Sequence, residues 1–269
     1  MIRSPLSISS VLDESTEVVA MTAAPWAGVL IAATLPYRFL QALFLDQLIE
    51  VGAKASAYGN LLGGTANMIV ASIVLALSGR AVYARACRLA LGTVATPGRA
   101  AWRVPVAAFV SYVLVSSVGL LIGYLGVFTC IGAVLAMIFA GLAIGTMELN
   151  ERVSLRTPFR LIARYARVAP LIGLAFVFFC AIFVALVNLA AAIGLGVWAA
   201  GSIGGFDAPR WQLLFSPDNR RYLLLLFTGA IAIVEPFWIA AHVVFVRKAG
   251  AEERGDDLRA WFAELRRAS

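Results

Sequence analysis

The sequence predicts an all-α integral membrane protein with about six transmembrane helices arranged as three hairpins and with amphipathic interfacial helices on the cytoplasmic side. Hydrophobic residues make up 61% of its 269 residues and charged residues only 14%, whereas a soluble domain carries about 25% charge. The apolar residues form blocks of roughly 18 residues or more, the length that crosses about 30 Å of hydrocarbon. So little charge cannot cover a water-facing surface, so the blocks are expected to face lipid.

The predicted spans follow the apolar blocks of the sequence. One stretch is too long for a single crossing, so it is expected to hold the third and fourth spans with a turn at Gly123 and Gly126. The predicted spans are Trp26–Leu45, Leu61–Ala81, Val104–Tyr124, Phe128–Met147, Val168–Val197 and Tyr222–Val246.

The chain is expected to be a single membrane domain that covers residues 1–269. Within it, residues 1–23 are predicted to form an N-terminal interfacial helix, residues 24–246 the six-span bundle, and residues 247–269 a cytoplasmic amphipathic tail. This organisation amounts to three copies of one structural unit, which is an interfacial helix followed by a span out and a span back.

The distribution of arginine predicts the orientation of the spans. Arginines are concentrated after the second and the fourth predicted spans, while the opposite loops carry fewer cations. The positive-inside rule therefore places these loops and both termini in the cytoplasm. The arginines concerned are Arg85, Arg88, Arg99, Arg103, Arg152, Arg156, Arg160, Arg164 and Arg167.

The segment after the fourth span shows the clearest interfacial pattern. Its arginines recur every three to four residues along one helix face, apolar residues lie along another, and Pro158 suits the first turn. Arg99 and Arg103 repeat the pattern before the third span, and the C-terminal tail has an apolar stripe that includes Trp261. The two faces consist of Arg156, Arg160, Arg164 and Arg167 and of Phe159, Ile162, Ala163 and Ala166.

Arg38 and Glu235 are charged residues in the middle of apolar spans, where a charge costs at least about 2.5–3.5 kcal/mol. Each lies about 12 residues from the cytoplasmic end of its span, so at about 1.5 Å rise per residue they reach similar depths. Each also neighbours a proline, Pro36 or Pro236. We expect them to form an intramembrane ion pair that joins the first and last spans, with a proton or anion relay as the alternative interpretation.

His242 is the only histidine, one to two helical turns after Glu235. An interfacial hydrogen bond is the favoured interpretation, and a proton path through both residues is the alternative. One histidine and three scattered cysteines do not form a metal cluster, and the sequence lacks a nucleophile elbow and a phosphate-binding glycine loop. Neither an enzyme nor a cofactor is therefore expected.

Three segments carry a family resemblance: PLSISSVLDES, MELNERVSLRTPFRLIARYARVAPLIG, and IVEPFWIAAHVVFVRKAG with the later GDDLRAWFAEL. Together they resemble the membrane domain that is attached to some bacterial glycerophosphodiester phosphodiesterases and that also occurs alone. In the fused members, hydrolysis resembles a metal-assisted reaction of histidines and carboxylates in a soluble barrel, which this sequence lacks. The resemblance therefore implies the membrane module without phosphodiesterase activity.

The leading functional expectation is a non-enzymatic inner-membrane scaffold or accessory subunit. Its arginine helices would bind anionic lipid headgroups or dock a cytoplasmic or membrane protein partner. The alternative is a small transporter or exporter of a lipid-like or amphipathic solute that uses Arg38 and Glu235. Nucleic acid is not an expected partner, because the net charge of +7 is concentrated beside apolar blocks where cations face lipid headgroups.

Overall fold

The computed structural model describes residues 6–51, 55–92, 104, 106–125, 130–147, 154–200, 215–216 and 219–255. Every regular element within these ranges is helical, and no strand occurs in them. One π-helical turn, Ala23–Ala27, interrupts the α-helices. The α-helices are α1 (Ile8–Thr22), α2 (Gly28–Val51), α3 (Ala55–Ala90), α4 (Val106–Leu125), α5 (Cys130–Thr146), α6 (Arg156–Arg164), α7 (Ala169–Ala200) and α8 (Arg220–Arg254).

Four helical stretches in the described part of the chain are long and apolar enough to cross a membrane. Helices α4 and α5 contribute two shorter apolar stretches, Val106–Gly119 and Leu135–Thr146. The predicted class, an all-helical protein with several helices able to span a membrane, is therefore confirmed. The arrangement of six spans as three hairpins stays a prediction. The four long stretches are Ile8–Leu40, Val70–Ala90, Ala169–Gly194 and Arg220–Glu253.

The described residues form two compact units. The first consists of those within Met1–Leu30, Leu77–Phe176 and Pro236–Ser269, and the second of those within Ile31–Ala76 and Val177–Glu235. Helices α1, α4, α5 and α6 lie wholly in the first unit. The expectation of a single membrane domain stays a prediction.

The N-terminal helix continues into the next helix instead of ending in a loop before it. Helix α1 leads through the π-helical turn directly into α2. Pro25 lies within that turn and has no N–H to donate, which disfavours regular α-helical hydrogen bonding there. The buried residues of α1 recur every three to four positions, so one stripe of the helix packs in the first unit; they are Val11, Ser15, Val18 and Thr22.

Helix α3 is longer than the predicted second span. The predicted span ends at Ala81, with Arg85 and Arg88 in the loop after it, but α3 continues to Ala90, so the placement of these two arginines in a loop was wrong. The sequence between Arg80 and Leu91 has no glycine or proline to stop the helix, and the chain turns only at Gly92, where φ is 65°.

Arg88 is buried inside the first unit and contacts the end of α5. Its Nη2 atom donates to the carbonyl oxygens of Ile144 at 3.0 Å and Gly145 at 2.5 Å. These carbonyls belong to the last turn of α5, where the helix dipole concentrates partial negative charge. The arginine of one helix therefore stabilises the C-terminal end of another.

Helices α5 and α8 approach each other closely at two glycines spaced four residues apart. The His242 ring lies directly against Gly141, leaving no room for a Cβ atom there. A Cβ atom on Gly145 would lie 2.7 Å from Val246 Cγ2 and 2.8 Å from the His242 carbonyl oxygen. Small residues at this spacing allow helix backbones to come into contact.

We expect Gly141→Ala and Gly145→Ala each to destabilise the protein by about 1–3 kcal/mol, the usual cost of overpacking a tight contact. The measurement is thermal unfolding of the purified chain in mild detergent. Gly229→Ala is the matched control, because an added Cβ atom at Gly229 in α8 meets nothing within 4 Å. Equal melting temperatures for all three variants would contradict the proposed tight contact.

Candidate functional site

The structure brings Arg38 and Glu235 together in the second unit. Arg38 in α2 and Glu235 in α8 form an ion pair with 3.5 Å between Nη2 and Oε1. Their side chains are 15% and 1% exposed, so the pair lies within apolar surroundings. Pro36 and Pro236 lie inside the same two helices and cannot donate to the carbonyls four residues earlier.

The ion pair is longer than the 2.7–2.9 Å of a tight charge-assisted hydrogen bond. Its importance comes from burial, because breaking a buried ion pair by removing one partner typically costs about 3–5 kcal/mol. This geometry suits a structural connection between the two helices. A role in proton or anion transfer stays a prediction.

We expect Arg38→Glu and Glu235→Arg each to reduce the yield of folded protein strongly, and the double exchange to recover much of it. Each single change places two like charges together in an apolar environment, whereas the double change restores opposite charges. Size-exclusion chromatography of detergent-extracted protein gives the folded fraction, with Arg221→Glu as an exposed control. A double variant as poor as the single ones would argue against the pairing.

His242 is fully buried in the first unit, not exposed at the end of a helix. Its Nδ1 atom lies 2.8 Å from the carbonyl oxygen of Trp238, one turn earlier in α8. A carbonyl can only accept, so Nδ1 carries the proton and Nε2 is left as an acceptor. Within the part of the chain that the structure describes, Nε2 has no hydrogen-bond partner. A proton path that includes Glu235 stays a prediction.

An aromatic and cationic cluster surrounds Trp238 in the first unit. The His242 ring meets the Trp238 ring edge-on at 5.2 Å, and the Phe176 ring is 5.9 Å away. The guanidinium of Arg80 lies 5.9 Å from the centre of the Trp238 ring, within cation–π range. Sequence reasoning missed Arg80, although a charged residue in the last turn of the predicted Leu61–Ala81 span was the available signal.

Helix α6 has three distinct faces. Pro158 and Leu161 are buried, and Tyr165 just beyond the helix is buried as well. Phe159 is 54% exposed and its ring meets the Phe139 ring of α5 edge-on at 5.1 Å. The predicted apolar face, which includes Phe159 and Ala163, is therefore largely exposed, and the buried face is a different one.

Tyr165 attaches this segment to α8. Its hydroxyl donates to the carbonyl oxygen of Ala249 at 3.3 Å, and its ring meets the Phe245 ring edge-on at 5.6 Å. Burial raises the pKa of the Tyr165 phenol, and the nearby carboxylates of Glu252 and Glu253 act in the same direction. The phenol therefore stays protonated at neutral pH and keeps its donor.

The arginines of the third face are all exposed. Arg160 and Arg164 approach opposite oxygens of the Glu253 carboxylate at 3.5 Å and 3.4 Å. Within the described residues, Arg156 and Arg167 make no ion pair. The face therefore has a net positive charge that Glu253 only partly offsets.

A second ionic cluster connects α1 to α8 in the first unit. Glu14 forms ion pairs with Arg247 and with Lys248, the latter at 3.0 Å. Lys248 also donates to the Ser10 carbonyl oxygen at 2.6 Å. Sequence reasoning missed this cluster, although acidic residues near the N-terminus and a basic pair at the end of the last span were the available signal.

Arg99, Arg103 and Trp261 lie outside the described residues. Among the residues that are described, no group of three or more histidine, cysteine, aspartate and glutamate side chains could hold a metal ion. Cys87 and Cys180 are buried free thiols.

These features define, in the described part of the chain, an all-helical protein with four helices long and apolar enough to cross a membrane and a basic helix in its first compact unit. Comparison with protein-family models gives no match, and comparisons with curated proteins and with solved structures give none either. The resemblance to the membrane domain of bacterial glycerophosphodiester phosphodiesterases stays a prediction that rests on the three segments quoted above.

Proposed function

We propose that the protein is a non-enzymatic scaffold or accessory subunit of the bacterial inner membrane that binds anionic lipid headgroups through α6. The observation that carries this proposal is the division of α6 into a buried face, an exposed apolar face and an exposed basic face. A helix that packs on its protein through one face and exposes an apolar face and a basic face fits the membrane–water interface.

The order of the faces around α6 supports this placement. At 3.6 residues per turn, Arg160 and Arg164 lie about 100° and 60° around the helix from the buried Leu161, and Phe159 and Ala163 lie about 160° from it, near the opposite side. In the interface, the apolar face would enter the acyl boundary while the guanidinium groups remain at the level of the phosphates. The same arginines are the natural docking surface for an acidic protein partner, which is the second ligand class that this surface fits.

We further propose six spans in three hairpins, with both termini in the cytoplasm. Helices α4 and α5 are 20 and 17 residues long, and each is close to the length that crosses the hydrocarbon core. They also pack against each other, as two consecutive spans joined by a short turn would. The arginines of α6 supply the positive charge that the inner side requires.

Topology is tested by fusing a reporter to either end of the chain. We expect green fluorescent protein at the N-terminus and at the C-terminus to fluoresce, and alkaline phosphatase at the same positions to be inactive, because both ends face the cytoplasm. An active phosphatase at one end only would mean an odd number of spans. Activity at both ends would mean the reverse orientation.

We expect the double variant Arg156→Gln/Arg167→Gln to bind phosphatidylglycerol less tightly and phosphatidylcholine unchanged. A basic residue near an anionic surface contributes about 1 kcal/mol, so loss of two should weaken binding roughly 10- to 30-fold. Native mass spectrometry of the full chain, titrated with each lipid in mild detergent, measures the effect.

Arg221→Gln is the control for this lipid titration, because it removes one exposed arginine from the second unit and leaves α6 unchanged. We expect this single change to leave phosphatidylglycerol binding near the wild-type value. Equal losses in the control and in the double variant would indicate a general charge effect and contradict lipid binding by α6.

One observation favours the alternative of a small transporter for a lipid-like or amphipathic solute. The ion pair of Arg38 and Glu235 lies within helices apolar enough to cross the membrane, and intramembrane ionisable residues commonly lie on solute or proton pathways. The scaffold is preferred because the close contact of this pair also serves to hold α2 and α8 together.

A further inference from the structure

Glu253 occupies a two-arginine anion site at the end of α8. Arg160 and Arg164 lie one turn apart on α6, and their guanidinium groups approach different oxygens of the same carboxylate. Two guanidinium groups that converge on one oxyanion form the arrangement by which proteins bind phosphate. The site is therefore built for an anion with several oxygens, and Glu253 is the anion that fills it here.

The contacts with Glu253 are loose enough to be exchanged. At 3.5 Å and 3.4 Å they exceed the length of tight charge-assisted bonds. The arginine side chains are 62% and 55% exposed, and the Glu253 side chain is 21% exposed. Exposed ion pairs of this kind contribute little to stability, so a competing anion can replace the carboxylate.

We propose that the phosphate of an anionic phospholipid takes the position of the Glu253 carboxylate between Arg160 and Arg164. This inference rests on the proposed binding of lipid by α6 and deepens it, since it assigns the headgroup to one pair of arginines and names an internal competitor. Phosphate offers more oxygens than a carboxylate to the donors of the two guanidinium groups. Glu253 then competes with the lipid phosphate for the two arginines and lowers the affinity for lipid.

The surroundings favour a lipid phosphate over a free one. Phe159, directly before Arg160 in the chain, is 54% exposed, and Ala163 before Arg164 is exposed too. An apolar surface next to the anion site fits a ligand that carries an acyl chain beside its phosphate. Inorganic phosphate would use the charge but not the apolar surface.

Exchange at this site would leave α6 attached to the first unit. The hydrogen bond from Tyr165 to Ala249 and the ring contact between Phe139 and Phe159 do not involve Glu253. Lipid binding would therefore release the end of α8 from α6 without detaching the helix. A change at Glu253 is accordingly expected to alter binding and not folding.

The test compares Glu253→Gln with Glu252→Gln in the full chain, titrated in mild detergent with phosphatidylglycerol, phosphatidylcholine or inorganic phosphate. We expect Glu253→Gln to raise the affinity for phosphatidylglycerol about fivefold, the effect of one charge near the headgroup, and to leave phosphatidylcholine unchanged. Glu252→Gln removes the same charge one residue away and should have a smaller effect. Adding Arg160→Gln and Arg164→Gln to Glu253→Gln should abolish the gain.

The outcomes separate this inference from the proposed function. Equal gains in Glu253→Gln and Glu252→Gln would overturn the assignment of the site, as would a gain that appears with inorganic phosphate and not with phosphatidylglycerol. If Arg156→Gln/Arg167→Gln weakens lipid binding while Glu253→Gln changes nothing, the inference fails and the proposed function stands. If the wild-type chain binds both lipids equally, the proposed function itself fails.

Discussion

The close contact of α5 with α8 is the constraint on which the first unit depends. Gly141 and Gly145 bring the two helices together so closely that the His242 ring lies on the backbone of α5. In lipid, helices associate through such packing, because apolar side chains gain nothing by leaving a solvent that is equally apolar. Arg88 then acts on the same end of α5 by donating to its terminal carbonyls. Packing and electrostatics therefore stabilise the same few residues.

Helix α8 takes part in polar contacts within each of the two units. Towards its C-terminal end it pairs with α1 through Glu14, accepts a hydrogen bond from Tyr165, and presents Glu253 to the arginines of α6. Earlier in the helix, Glu235 pairs with Arg38 in the second unit. A polar group in an apolar segment is costly unless a partner offsets it, so these contacts make α8 specific for its neighbours. They also explain why an otherwise apolar helix keeps so many ionisable residues.

The helical class was predictable because long apolar blocks admit few other structures. Arg38 and Glu235 could be selected as a pair because a charge in mid-span is rare and both lie at similar depth. The length of α3 was not predictable from hydropathy, since Arg80 and Arg88 read as the end of a span although they are buried. A hydropathy scale separates residues that prefer water from residues that prefer lipid. It cannot identify a charged residue that is buried in the protein interior. The buried face of α6 was missed for the same reason.

The π-helical turn at Ala23–Ala27 has a consequence for the register of the N-terminal helix. In an uninterrupted α-helix, Leu30 would lie about 80° away from the face of Thr22, at roughly 100° per residue. The extra residue accommodated by a π-helical turn brings the two residues back into line, and both are buried. The turn therefore compensates for one residue of chain length between these two positions. Deleting one residue there would leave Leu30 seven positions after Thr22, a rotation of about 700° or nearly two full turns, so a regular α-helix would then keep Leu30 in the buried stripe.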